Sequence, residues 1–215
     1  MIHNFSITNS IFNNFLTEMR DIHTQKDSMR FRRNLERIAE IMAYEVSKKL
    51  EFESCTTTTP LGEDVSQIIV DQPVVATILR AGLGMHNGIL NYFDKAESAF
   101  VSAYRKHSSH KDFQINVEYI ACPNIANKTL IISDPMLATG NSMVTVYKAL
   151  LQYGKPSKIH ILSAIAHPDA IEFVQQHLPP HTEIWVGAID KELTAQSYIV
   201  PGMGDAGDLA YGNKI

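Results

Sequence analysis

The residues best suited to chemistry lie within 130–142, in the string Leu-Ile-Ile-Ser-Asp-Pro-Met-Leu-Ala-Thr-Gly-Asn-Ser. Leu130, Ile131 and Ile132 form a short apolar run of the kind a buried strand uses. Proline lacks the donor a ladder needs, so Asp134-Pro135 ends that strand. Beyond Ser142 the period changes. Met143, Val146, Tyr147, Leu150 and Leu151 share one face of a helix, which Gly154 and Pro156 close. A strand, a turn of small residues and a helix make an anion site. The first helical amides have no internal partners, and the helix dipole places partial positive charge there. Gly140 admits a close backbone approach, and Thr139 and Ser142 add hydroxyl donors. Asp134 repels phosphate but accepts hydrogen bonds from hydroxyl groups. Together these preferences describe a phosphorylated sugar. Without that chemistry, a bare Thr-Gly-x-Ser turn is equally an ordinary strand-to-helix connection with a good cap.

Two further stretches carry chemical signal. Arg80-Ala81-Gly82-Leu83-Gly84 follows an apolar strand over 74–79 and precedes a helix reaching about Phe93. An arginine at a strand end, beside glycines that expose backbone amides, can hold a diphosphate bidentately. The spacing Gly82-x-Gly84 with Gly88 departs from a dinucleotide fingerprint, and no acid follows at the right distance. In the tail, Gly202, Gly204 and Gly207 interleave with Ile199, Val200, Pro201 and Met203. Glycine near a chain end usually means a loose terminus, but this mixture favours a folded loop pressed against something flat. Arg105, taken alone, reads as a surface loop charge. His107 and His110 are too few for a metal site. The chain has no Walker loop, no His-Glu-x-x-His motif and no Gly-x-Ser-x-Gly elbow.

The elements that must position these residues follow from patterning. Residues up to about Lys26 read as polar and irregular, apart from Ile11-Phe12 and Phe15-Leu16. Asp27-Ser28 caps a long helix striped by Leu35, Ile38, Ala39, Met42, Val46 and Leu50. Arg30, Arg32, Arg33 and Arg37 on its first half read as a solvated face. The threonine run 56–59 reads as an extended edge or loop. Strands are expected over 74–79, 99–104, 113–120, 129–133, 158–165 and 183–189, with a helix from His167-Pro168-Asp169 to about His177. The second and third of these strands suit a hairpin, and the histidine-rich stretch 105–112 between them suits a mobile loop. Alternating strands and helices imply an α/β fold: a mostly parallel sheet with helices on both faces. Ligands then sit beyond the carboxyl ends of the strands, where the segments beginning at Arg80, Arg105, Asp134 and Asp190 all emerge.

Composition sets the outer bounds. A chain of 215 residues, 45% hydrophobic and 20% charged, suits one domain over 1–215 with a sizeable core. It has no uninterrupted apolar window of membrane-spanning length, and its first residues lack a secretory pattern. Cys55 and Cys122 form neither a metal spacing nor a disulfide framework, so they are read as reduced thiols of a cytoplasmic protein. A net charge of -4 argues against nucleic acid as a partner.

The string Asp-Pro-Met-Leu-Ala-Thr-Gly-x-Ser resembles the phosphoribosyl-diphosphate (PRPP) loop of the uracil phosphoribosyltransferases. Ile-Leu-Arg-Ala-Gly-Leu-Gly-Met resembles their diphosphate loop, and Tyr-Ile-Val-Pro-Gly-Met-Gly-Asp-Ala-Gly-Asp resembles their uracil pocket. Met19-Arg20 and Phe31-Arg32 loosely match the family's N-terminal arm. The resemblance spans about residues 19–212. It implies a type I phosphoribosyltransferase-like fold with an N-terminal helical arm over about 1–50, a hairpin with a flexible loop, and a uracil-binding hood over about 190–215. It implies a salvage reaction in which uracil and PRPP give UMP and diphosphate. PRPP contacts are implied at Arg80, Arg105, Asp134, Pro135, Met136, Leu137, Ala138, Thr139, Gly140, Asn141, Ser142 and Asp205. Uracil contacts are implied at Ile199, Gly204, Asp205 and Ala206. Arg80, Arg105, Asp134 and Asp205 would carry catalysis, with Asp205 a weak general base. The same resemblance implies magnesium bound mainly through the PRPP diphosphate, no metal ligands of the protein's own, a homo-oligomer of two or more copies, and GTP as an effector. Asn141 stands where the family usually has a second glycine, and 106–116 lacks its Glu-x-Thr-Leu-x-Pro pattern. The rival readings are an RNA-binding regulator of pyrimidine operons on the same fold and a transferase for another base.

Overall fold

The computed structural model describes residues 1–107 and 113–214, without the side chains of 104–107 and 113–116. In chain order the strands are β1 (Ile2–Asn4), β2 (Phe52–Thr59), β3 (Gly62–Ile69), β4 (Val74–Leu79), β5 (Glu97–His107), β6 (Phe113–Ala121), β7 (Thr129–Ser133), β8 (Met136–Leu137), β9 (Lys158–Ala166), β10 (Glu183–Ile189), β11 (Glu192–Leu193) and β12 (Ile199–Val200). The α-helices are α1 (Ile11–Arg20), α2 (Ser28–Ser47), α3 (Leu83–Leu90), α4 (Asn141–Leu150), α5 (Pro168–His177) and α6 (Ala206–Tyr211).

The main sheet runs β1-β10-β9-β7-β4-β5-β6, with β8 alongside β9. Every pairing in it is parallel except β5 with β6, the expected hairpin. Strands buried on both faces draw mostly on apolar side chains, and β9 does so apart from Lys158 at its start and the buried His160 and Ser163. Leu162 and Ala164 join a core with α1, α2 and α3, while Ile159 and Ile161 join a second core with α4 and α5. Helices therefore cover both faces, as the alternating pattern predicts. No helix among the described residues is long and apolar enough to cross a membrane.

Two expectations need correction and a third needs refinement. The first 26 residues are not irregular. Ser10 and Asn13 form a capping box, and α1 buries Phe12, Leu16 and Met19; the pairs Ile11-Phe12 and Phe15-Leu16 were one helical stripe four residues apart. β1 adds an edge strand beside β10, with His3 stacked on Trp185 at 3.7 Å. The threonine run is one half of an antiparallel ribbon, β2 with β3, that pairs with neither edge of the main sheet. The arginines of α2 are not all solvated: Arg32 donates to the Ala210 carbonyl at 2.6 Å, and Arg37 lies over the Phe15 ring at 5.1 Å. A one-dimensional charge run shows which residues share a face but not what a distant segment lays upon it.

Candidate active site

The turn between β7 and α4 is held by the neighbouring strand. Asp134 donates its amide to Leu162, while the carbonyls of Pro135 and Leu137 accept from Ile165 and His167. These bonds carry the chain sideways along β9 as β8 before it turns into α4. Gly140 caps the helix with φ +79. An added Cβ there would lie 2.9 Å from the Ala170 carbonyl, so both the left-handed backbone and the contact with α5 exclude a side chain. Asn141, in place of the family's usual second glycine, does not need glycine's freedom. It is the first residue of α4, so Gly140 alone carries the left-handed geometry and a side chain at 141 is accommodated. Asp134, Met136, Leu137, Ala138, Thr139, Gly140, Ser142 and Met143 line a small pocket of about 30 Å³ at this helix start.

Arg80 sits immediately after β4, next to β7 in the sheet, and the Leu79-Arg80 peptide is cis. Its guanidinium is engaged by the tail: Nη2 donates to Asp208 Oδ1 at 2.8 Å and Nη1 to the Gly212 carbonyl at 3.0 Å. Gly88 is not part of a nucleotide fingerprint; a Cβ on it would strike the Glu36 carbonyl at 2.2 Å, so it serves the close packing of α3 on α2. Arg105 lies on β5 opposite Ile115, and its side chain is outside the described residues, as is the 108–112 part of the histidine-rich stretch.

The tail is folded, as its apolar residues suggest. β11 pairs with β12, and Asp205 caps α6 by accepting from the Asp208 amide at 2.9 Å. That bond gives Asp205 a structural task which the general-base assignment did not anticipate. Ile199 is 3% exposed and belongs to the same core as Met203 and Ala206. Met136 and Ala138 of the β7–α4 turn pack against this core, and so does Ala81. Gly207 closes the circle: its Cβ position lies 3.2 Å from Asp205 Oδ1, 3.8 Å from Ala81 and 3.9 Å from Arg80 Nη2. On the other side a Cβ at Gly82 would lie 2.9 Å from the Ser133 carbonyl at the end of β7, so the 80–82 turn touches both the strand that leads into 134–142 and the 207–208 part of the tail.

Sequence reasoning missed three residues here. Asp190 forms a bidentate ion pair with Arg20, at 2.6 and 2.9 Å, and accepts from the Gly202 amide. Asp208 holds Arg80. No local signal pairs Arg20 with Asp190, because 170 positions separate them. Among the described residues no group of three or more His, Cys, Asp or Glu is placed to hold a metal. Larger by volume is a cleft of about 350 Å³ lined by Lys49, Lys158, His160, His181 and Glu183. It lies at the opposite, amino-terminal ends of β9 and β10, away from these loops. Burial is the chief cause that lowers the pKa of His160 there, and of His86 on α3, to about 4.

In class, this fold is that of the type I phosphoribosyltransferases: a mostly parallel sheet under helices, with its loops gathered at one edge. The family model described as uracil phosphoribosyltransferase matches residues 6–213. A uracil phosphoribosyltransferase of Porphyromonas gingivalis is 56% identical over 206 residues, 96% of this chain and 95% of that one. Another, of Methanococcus vannielii, is 39% identical over 93% of this chain and 85% of its own length. Among solved structures, the AQ2163 protein of Aquifex aeolicus superposes with a TM-score of 0.87 at 26% identity, covering 100% of both chains. The chain belongs to the uracil phosphoribosyltransferase family, transferases of pyrimidine salvage.

Proposed function

We propose that the gathered loops form one active site, in which the phosphoribosyl group of PRPP is transferred to uracil to give UMP and diphosphate. The observation that carries this reading is that the Arg80 turn abuts both the end of β7, which leads into the Gly140 helix start, and the 207–212 part of the hood. Backbone amides from Ala138 to Ser142, with the Thr139 and Ser142 hydroxyls, hold the sugar phosphate, supported by Pro135, Met136, Leu137 and Asn141 in the same turn. Asp134 accepts from the ribose hydroxyls. Arg80 and Arg105 hold the departing diphosphate. Negative charge builds on that group as the anomeric carbon becomes cationic, so these contacts strengthen toward the transition state. Asp205 contributes to both subsites through its position, not as a free base, since its carboxylate caps α6.

Uracil lies against Ile199, Gly204, Asp205 and Ala206. A backbone amide directed at the ring carbonyl that cytosine replaces with an amino group would place donor against donor for cytosine. A buried unpaired donor is strongly rejected. The donor set fits magnesium carried on the diphosphate oxygens, with Asp134 the neighbouring carboxylate, because magnesium keeps to substrate phosphates and few protein oxygens. When bound, it would neutralise charge on the leaving group.

The same reading treats residues 1–215 as one catalytic domain in the cytoplasm. It gives the chain a second copy as partner, supported by Phe52, Leu61, Val65 and Ile68 exposed on the β2–β3 ribbon. GTP as effector rests on the family resemblance alone and is tested by assays with and without the nucleotide. The decisive experiment is a base panel with labelled PRPP. Uracil is expected to be the preferred acceptor, and preference for guanine or hypoxanthine would overturn the reading. A salt-dependent RNA gel shift tests the regulatory rival, which the acidic balance of the chain disfavours.

A further inference from the structure

An ion pair ties the start of the hood to α1. Arg20 is the last residue of α1, and Asp190 is the first residue after β10. The guanidinium meets the carboxylate in a two-point fork, Nη1 to Oδ2 at 2.6 Å and Nη2 to Oδ1 at 2.9 Å. Asp190 is only 8% exposed. Both partners then reach the same residue of the hood: Arg20 Nη1 donates to the Gly202 carbonyl at 3.0 Å, and the Gly202 amide donates to Asp190 Oδ2 at 2.9 Å. Gly202 has φ +58, and a Cβ on it would lie 2.0 Å from the Ile199 carbonyl. The turn from Ile199 to Gly202 is therefore closed, and its last residue is gripped through both backbone polar groups.

This turn lies between the two parts of the proposed uracil site, Ile199 on one side and 204–206 on the other. A base read by backbone groups depends on the tilt of peptide planes, which no rotamer change can correct. Charge-assisted, two-point bonds set such a plane more tightly than a neutral contact. Arginine is suited to this role because its planar fork can bind a carboxylate and still offer a further N–H to a carbonyl.

We propose that the Arg20–Asp190 pair is a positioning device for base specificity: it sets the hood backbone that distinguishes uracil from cytosine, without touching either base. The inference rests on the proposed uracil site. A merely structural tie would lower stability and weaken both substrates together. A positioning role acts on the base alone.

The test uses the full chain with Arg20→Lys, which keeps the charge and most of the stem, and Asp190→Asn, which keeps the shape. Thermal melts select conditions under which each variant is folded, and KM is then measured separately for uracil and for PRPP. The expected result is a KM for uracil raised about tenfold, as misplacing one or two hydrogen bonds implies, with the KM for PRPP nearly unchanged. The ratio of kcat/KM for uracil over cytosine is expected to fall by a similar factor in both variants. Equal shifts in both KM values, or an unchanged base ratio, would overturn the proposal. Failure of the underlying site reading shows separately, as a wild-type chain that does not prefer uracil.

Discussion

Asp208 Oδ1 lies 2.8 Å from Nη2 of Arg80, so the arginine proposed to hold the diphosphate is already joined to α6 of the proposed uracil-binding hood. The pair is partly exposed, at 38% and 31%, which limits its stabilising effect to about 1 kcal/mol or less. Its importance is geometric. Arginine has five N–H donors, and a tie to Asp208 and Gly212 leaves others available to a ligand while fixing where the fork points.

Replacing Arg80 by alanine should lower kcat by about 100-fold or more, the scale of losing a transition-state charge contact. The KM for uracil should move far less. Steady-state kinetics on both substrates checks this, and an unchanged turnover number removes Arg80 from the mechanism.

Asp208→Asn should leave the melting temperature within a few degrees of the parent, since about 1 kcal/mol or less is at stake. It should lower kcat/KM for PRPP several-fold by releasing the arginine. A variant indistinguishable from the parent in PRPP kinetics would reduce the Arg80–Asp208 pair to an incidental contact.

Gly140→Ala should be costly for a small change. The left-handed backbone costs a residue with a Cβ about 1–2 kcal/mol, and the new Cβ would lie 2.9 Å from the Ala170 carbonyl. Either the turn or α5 must shift. Denaturant titration should show a clear loss of stability, and the KM for PRPP should rise while that for uracil changes less.

Stability should fall on mild acidification. His86 and His160 are lowered from 6.5 to about 4, chiefly by burial, so both stay neutral in the fold while the unfolded chain takes up protons. The Trp185 N–H donates to His160 Nδ1 at 3.1 Å, which requires that nitrogen to be unprotonated. Their contribution is intact above pH 6.5 and is lost as pH falls toward 4, at about 1.4 kcal/mol per pH unit for each histidine. Urea unfolding between pH 7 and 4.5 should show this slope, and His86→Gln with His160→Gln should flatten it. A slope unchanged in the double variant would assign the acid sensitivity to other groups.

Much of this protein was legible in one dimension because its determinants are local. The apolar run 130–132, the proline at 135 and the period change after Ser142 specify a strand, a stop and a helix by neighbours alone. The structure places these elements at Thr129–Ser133 and Asn141–Leu150. The hairpin of β5 and β6 and the two-faced parallel sheet follow from the same short-range patterns. The family motifs were legible too, because each is a continuous string.

What tertiary structure alone decided are relationships between segments far apart in the chain. Nothing near Arg20 predicts Asp190, nothing near Arg32 predicts the Ala210 carbonyl, and Asp205 acquires its capping task only when α6 forms beneath it. Local spacing sets which groups a segment can offer. Which buried charge meets which partner depends on how helices and strands close against one another, because an ion pair or a backbone grip exists only at separations below about 4 Å.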